Sequence, residues 1–315
     1  MHIKDGRDCE DNICRSYEVQ SGVSVIALSD GAGSYVNAGI GSKIAVKIAA
    51  DLLAQKFNLF YELDDDTASS YILREVTTAL RAEAERKSAE LESYSATLLL
   101  VAMHPDGRYL IFHVGDGAVI GFTDKCESIA LSLYDHAGLA NETTFVTVPD
   151  TEYRILRGNG GFYAFSLMSD GPEEFMVNEV DVSPRVTLMH QLAFVLSENN
   201  MEQQLNSMVE LFNEIGMYDD ASFAIISDVR ATSAVLRTMN PTLRETLIGT
   251  DAGSKQACRR EIIIQILSAG VAGVTIQQMT RRLRTHSPRI TKKKMQPFID
   301  QGLVELIAGK YYLAR

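Results

Sequence analysis

The stretch Val23–Ser34, VSVIALSDGAGS, decides how the rest of the chain is read. Its first half, Val23–Leu28, is a short apolar run rich in β-branched residues, the pattern of a buried strand. The run stops at Asp30, with Gly31 and Gly33 just behind it. A carboxylate at the end of a buried strand is costly unless something pairs with it. Glycines at that point let the backbone turn tightly and present its own carbonyls. Taken alone, the stretch also fits a plain strand ending in an Asp-Gly turn; the remaining acids of the chain shift the balance.

Downstream, Gly39–Phe57 repeats Ile44, Ile48, Leu52 and Leu53 at helical spacing. Ala68–Leu91 places Ile72, Val76, Ala79, Leu80 and Ala84 on one face. Both are expected as amphipathic helices, with Asp64–Thr67 offering an N-cap to the second and reading as a solvated charge run rather than a metal site. Apolar runs follow at Ser95–Met103, Tyr109–Val114, Val119–Phe122, Phe162–Leu167 and Ala221–Ile226. The first two are joined as a hairpin by His104–Pro105–Asp106–Gly107. Ser128–Arg157 has no clear order, and Leu188–Leu196 and Met201–Ile215 read as helices. Strands and helices come in separate runs, which is an α+β pattern and not an alternating βαβ one.

With 315 residues, 46% of them hydrophobic, the chain can bury one large domain and one small one. No apolar run reaches the ~18 residues of a membrane span. The polar opening MHIKDGRDCEDN does not read as a signal peptide, so a cytoplasmic protein without membrane contact is expected. Four scattered cysteines with no CxxC pair speak against a zinc or disulfide framework. The net charge of −11 is uneven: Ser254–Arg315 carries +9, which leaves −20 on the remainder. Two modules with different partners are expected from that asymmetry.

Several acids share the context of Asp30. Asp116 between Gly115 and Gly117, and Asp170 before Gly171, each end an apolar run; Asp219–Asp220 precedes one, and Glu10–Asp11 lies upstream of the first. Sheets gather strand ends, so these acids can meet at one edge. Clustered carboxylates repel, and each is pushed toward its neutral form unless a cation sits among them. Carboxylates and glycine carbonyls are hard oxygen donors, suited to Mn2+ or Mg2+. Two such ions can generate a hydroxide nucleophile and clamp a phosphoryl group. His104 and His113 read as turn or strand-surface residues, and Asp220 as a cap or hydrogen-bonding residue.

In order and spacing, CEDN at Cys9–Asn12, SDGAGS at Ser29–Ser34, SAT at Ser95–Thr97, VGDG at Val114–Gly117, SDG at Ser169–Gly171 and DDAS at Asp219–Ser222 resemble the metal-dependent protein phosphatases of the 2C family, in a bacterial branch. The resemblance covers roughly the first 228 residues. It implies a four-layer αββα sandwich of two antiparallel sheets and hydrolysis of phosphoserine or phosphothreonine by a metal-bridging water. It implies that Asp30 bridges two metals, with the Gly31 carbonyl, Asp170 and Asp219 completing one sphere. Glu10 and Asp11 would hold the other metal mostly through water, and Asp116 a further, weaker one. Asp30, Asp170 and Asp219 are thus the expected catalytic residues. Arg7, His2 and Lys4 are the candidates for the substrate phosphate. Where many members carry His after the Asp-Gly pair, this chain has Ala32. The implied partner is a phosphoprotein, a cognate serine/threonine kinase or its target.

The basic tail reads as three helices (Arg259–Ala269, Val274–Leu283 and Ser287 to Gly302) and two strands (Leu303–Ile307 and Lys310–Leu313), which resembles a winged helix. Its third helix carries Arg289, Lys292, Lys293 and Lys294, suited to DNA phosphates or a protein partner. The expected division is a catalytic domain over 1–229, a linker over 230–255 and a winged-helix-like domain over 256–315. The residues also admit two other functions: a hydrolase of small phosphate esters, and a weakly active scaffold working through its tail.

Overall fold

The computed structural model describes residues 9–125, 127–133, 143–177, 206, 209, 210, 212–214, 216, 217, 219–238, 262, 265, 266, 269, 272–300 and 304–313. In chain order the first elements are β1 (Asn12–Glu18), β2 (Val23–Ser29), α1 (Ala38–Glu62), α2 (Asp65–Lys87), β3 (Leu98–Met103) and β4 (Arg108–Val114). Then come β5 (Ala118–Thr123), β6 (Ser128–Leu133), β7 (Arg154–Asn159), β8 (Phe162–Met168), α3 (Asp170–Met176), β9 (Phe223–Ser227) and α4 (Val229–Thr238).

The strands form two antiparallel sheets, ordered β1-β2-β3-β4-β7 and β6-β5-β8-β9. Side chains alternate across each strand, and the alternation in β2 and β3 shows what lies on either face. Val25 and Ala27, with Leu98, Leu100 and Ala102, pack against Val46, Leu53, Ile72 and Leu80 of α1 and α2. Ile26, Leu28, Leu99 and Val101 turn the other way and meet Val119, Phe165 and Leu167 of the second sheet. A strand buried on both faces must be apolar throughout, which is why VSVIAL reads as a continuous run. The outer face of the second sheet, with Ile120, Phe122 and Ala164, joins a core that includes Met176, Phe212 and Val235.

The two long helices match expectation: α1 continues past Phe57 to Glu62, while α2 starts earlier than expected, at Asp65, and stops earlier, at Lys87. In α2 the Asp64 side chain accepts from the Thr67 N–H, Asp65 and Asp66 sit in the first turn, and Arg86 and Lys87 in the last. Both ends therefore suit the helix dipole. Strands β6 and β7 lie at the two ends of the stretch that had no readable order, and β1 adds an unanticipated strand. Residues 230–238, read as the start of the linker, belong to α4, whose Val235 is buried in the core. The expected helix over 188–196 lies outside the described residues. Within 201–215, residues 206, 209, 210 and 212–214 are helical.

Toward the C-terminus, residues 262, 265, 266 and 269 are helical. After them come β10 (Val274–Thr275), α5 (Ile276–Arg282), α6 (Pro288–Asp300), β11 (Val304–Ile307) and β12 (Lys310–Leu313). The three strands make an antiparallel sheet in the order β10-β12-β11. The helix expected from Val274 starts two residues later. Val274 and Thr275 pair with β12, and Thr275 then caps α5 in a capping box with Gln278. Among the described residues, no helix is long and apolar enough to cross a membrane.

Candidate active site and metal centre

Strand register puts the acids at one end of both sheets. Asn12, opening β1, pairs with Ser29, closing β2; Asp11 and Asp30 extend that ladder by one residue each. Ala118, opening β5, pairs with Met168, closing β8, and Met168 pairs with Phe223, opening β9. Asp116, Asp170 and Asp219 continue from those three strand ends. The two ends are tied where the Glu10 N–H donates to Asp220 Oδ2 at 3.0 Å.

The glycines behind the acids are there because backbone comes too close for a side chain. A Cβ on Gly31 would lie 2.7 Å from the Ala38 carbonyl carbon and 3.0 Å from Glu10 O. On Gly171 it would lie 2.3 Å from Asp220 O and 3.4 Å from Asp219 Cβ. Neighbouring hydroxyls fix the strand ends. The Asp30 N–H donates to Thr97 Oγ1 at 2.9 Å, and the Thr97 N–H returns a bond to Asp30 O at 2.8 Å. The Ser222 N–H donates to Ser169 Oγ at 3.0 Å, and the Ser169 N–H to Ser222 O at 3.1 Å. The Asn12 amide donates to Ser42 Oγ at 2.8 Å and Gly39 O at 3.1 Å, anchoring the Glu10–Asn12 segment on α1.

Electrostatically the acids are in conflict. Burial, then the charges of Asp11, Asp170 and Asp116, drives the Asp30 carboxyl far above the usual carboxylate range. Burial, then Asp116 and Asp219, pushes Asp170 up to about 7. Asp116 is raised by burial and partly relieved by Thr143, whose hydroxyl donates to Asp116 Oδ2 at 2.7 Å. Asp11 is raised by burial, while Asp30, Ser169 and Ser222 stand near enough to favour its charged form. Even so, none of them closes a well-formed bond: both Asp11 carboxylate oxygens and Glu10 Oε2 are buried without a hydrogen-bond partner. Buried orphan oxygens amid like charges are what a divalent cation neutralises. The donors are all oxygen, which fits Mn2+ or Mg2+. Among the described residues, no three His, Cys, Asp or Glu side chains already stand as a metal-holding group. The acids share a field without closing a cage, as mutually repelling carboxylates do.

Of the expected site residues, Glu10, Asp11, Asp30, Gly31, Asp116, Asp170 and Asp219 come to this one edge. Arg7, His2 and Lys4 lie outside the described residues. Asp220, expected to hydrogen-bond, does so with Glu10. One functional neighbour was misread. His113 is not on the strand surface but 1% exposed. Its Nε2 donates to Asp116 O at 3.1 Å, and its Nδ1 lies 2.7 Å from Ser132 Oγ. Burial above all, reinforced by the Arg154 charge and opposed by the bond to Asp116, lowers its pKa to about 4. The signal was available: YLIFHV is an unbroken strand, and a strand buried on both faces buries its histidine too.

Residues 1–210 match the family described as Protein phosphatase 2C, whose members are metal-dependent. The chain is 31% identical over 193 residues to the serine/threonine-protein phosphatase 3 of Escherichia coli (strain K12), spanning 60% of this chain and 74% of that protein. Among solved structures, the S. agalactiae serine/threonine phosphatase aligns with a TM-score of 0.49 at 19% identity, over 70% of this chain and 94% of that one. The phosphatase Stp1 from Staphylococcus aureus aligns with a TM-score of 0.48 at 15% identity, over 70% and 90%. With the family match running through the residues that carry most of the acids, the chain belongs to the protein phosphatase 2C family and is a serine/threonine phosphatase of that type, a hydrolase.

Proposed function

We propose that Asp30, the Gly31 carbonyl, Asp170 and Asp219 hold one divalent ion, Mn2+ or Mg2+, and that Asp30 also serves a second with Glu10 and Asp11. Asp116 belongs to a third, weaker one. Bound there, such ions supply an activated water and neutralise the charge of the phosphoserine or phosphothreonine ester. The protein's part is to hold the acids. Thr97 fixes Asp30, the Ser169–Ser222 pair fixes the strand ends beside Asp170 and Asp219, and the glycines let Glu10 and Asp220 close in. Ala32 brings no proton donor to the place beside Asp30–Gly31. The observation that carries this reading is the trio of buried, unpartnered oxygens on Glu10 and Asp11.

The packing supports taking residues 1–229 as an αββα catalytic domain of four layers. The helices and strands of 256–315 support a winged-helix-like module, with 230–255 as the connection, although its first part is helical. The substrate is a phosphoprotein, and a cognate serine/threonine kinase or its target suits the role, in the cytoplasm. Arg289, Lys292, Lys293 and Lys294 are exposed on α6, which supports DNA or an acidic protein as a second partner.

The test is release of phosphate from a phosphothreonine peptide. Activity requires added Mn2+, disappears with chelator and is abolished in Asp30→Asn together with Mn2+ binding measured by calorimetry. Undiminished turnover in chelator, or Mn2+ binding that survives Asp30→Asn unchanged, refutes the reading.

A further inference from the structure

We propose that His113 and Thr143 are positioning residues for the reaction, gripping Asp116 by its backbone and its carboxylate and so setting it toward the other acids before any cation arrives. The inference rests on the metal reading above. Gly115 and Gly117 on either side of Asp116 have φ of +92° and +89°. Glycine is the most permissive residue, so a Gly-Asp-Gly turn does not hold its own shape; its surroundings must. A Cβ on Gly115 would lie 2.6 Å from Thr97 Cγ2 and 2.9 Å from Thr144 O, and one on Gly117 would lie 2.6 Å from Met168 O. The turn is therefore wedged between the start of β3, the segment carrying Thr143 and Thr144, and the end of β8.

Directional bonds complete the grip. A carbonyl can only accept, so His113 Nε2 carries the proton that goes to Asp116 O at 3.1 Å. Its Nδ1 then accepts from the Ser132 hydroxyl at 2.7 Å. His113 lies on β4 in the first sheet and Ser132 on β6 in the second, so the imidazole is a strut across the two sheets. Both side chains are buried, at 1% and 4% exposure, so bulk water does not compete. From the other side Thr143 Oγ1 donates to Asp116 Oδ2 at 2.7 Å. Outer groups that orient a ligand are worth about 10–100-fold in metal affinity.

The experiment is a calorimetric Mn2+ titration of the full chain, with kcat measured at limiting and at excess Mn2+. The variants are His113→Leu, His113→Gln, Thr143→Val and Thr143→Ser. The expected result is that Leu and Val loosen the weakest Mn2+ event by about 10-fold or more and leave the tighter events as they are. The kcat of both variants falls at limiting Mn2+ and recovers at excess. Thr143→Ser keeps its hydroxyl and behaves as the parent, and His113→Gln, which keeps a donor, lies between. Parent-like isotherms in both Leu and Val variants, or equal loosening of every event, overturn the proposal. A drop in kcat that excess Mn2+ does not rescue also overturns it, because that marks a merely structural role. If His113→Leu fails to fold, Thr143→Val decides alone. A parent protein that binds no Mn2+ overturns the metal reading itself, a separate outcome.

Discussion

Without metal, the protein should lose stability as the pH rises from about 4 to 7. A carboxyl in an unfolded chain titrates near 3.9, whereas in the fold Asp170 is pushed up to about 7 by burial and by Asp116 and Asp219. Between those two values the folded state keeps a proton that the unfolded state has released. The unfolded state thus binds fewer protons, and the linkage relation makes stability fall with pH. The full stability is present below the unfolded pKa and is lost on the way up to the folded one. That displacement corresponds to roughly 4 kcal/mol, a ceiling because Asp170 is not fully buried. Asp11, Asp30 and Asp116 are raised as well and act in the same direction. Mn2+ reverses the trend, since it binds the deprotonated acids and gains affinity as protons leave; at 100 times its Kd it adds about 2.7 kcal/mol. The assay is urea denaturation between pH 5 and 8, in chelator and in Mn2+. Asp170→Asn in chelator should flatten much of the slope. Pure structural loss predicts no such flattening. Stability in chelator that does not change from pH 5 to 8, or Mn2+ that protects less at pH 8 than at pH 5, refutes the reasoning.

Four substitutions probe the frame. Gly31→Ala forces a methyl to 2.7 Å from the Ala38 carbonyl carbon and should cost about 1–3 kcal/mol, read from the urea midpoint, with activity falling as Asp30 moves. Gly171→Ala, at 2.3 Å from Asp220 O, should do at least as much. Thr97→Val leaves the Asp30 N–H without its acceptor, a loss of about 1–3 kcal/mol, and should lower kcat more than a surface change of equal stability cost. Asp64→Ala removes the cap of α2 and should cost about 1 kcal/mol in thermal melts while Mn2+-dependent turnover stays at the parent level, because that cap lies away from the acids.

Strands were legible in the sequence according to where they sit. β2, β3, β4, β5 and β8 are interior strands with neighbours on both sides, and burial of both faces writes them as unbroken apolar runs. The four that were missed, β1, β6, β7 and the two-residue β10, are all edge strands, although the edge strands β9 and β11 were read. β1 leaves Ile13 and Tyr17 exposed, and β7 mixes Arg154 and Arg157 with Ile155 and Leu156, so neither run nor clean alternation survives. Helix α4 was obscured for another reason: its sequence, VRATSAVLRT, interleaves its apolar residues with Arg, Thr and Ser and runs into a Thr-, Asn- and Gly-containing stretch, and Val235 and Thr232 are the ones seen buried. At the site, Asp30, Asp116 and Asp170 were readable because each breaks an apolar run beside a glycine, and Asp219 and Glu10–Asp11 because they lie ahead of one. Their supports were not. The grip of His113 on the Asp116 turn depends on β4 lying over β6, and the bond from Glu10 to Asp220 spans 210 positions; no local spacing encodes either.

The same tripeptide, Ser-Asp-Gly, closes an interior strand in each sheet, at Ser29–Gly31 and Ser169–Gly171. In both places the serine is buried and bonded to the backbone of a neighbouring stretch: Ser29 Oγ donates to Thr97 O, and Ser169 Oγ accepts from the Ser222 N–H. In both places the glycine admits a segment bearing acids, Glu10 at Gly31 and Asp219–Asp220 at Gly171. The tripeptide thus divides the work by position: the first residue stops the strand end from fraying, the second offers charge at the mouth, and the third makes room for the next acid. Two facing sheets that end this way bring two acid pairs together without any loop having to reach across. The mutual repulsion that results is a property of the metal-free fold, held by packing that lies well away from the acids themselves. Cation binding therefore draws on strain already present in the fold, which is why stability, pH and Mn2+ affinity should move together in this protein.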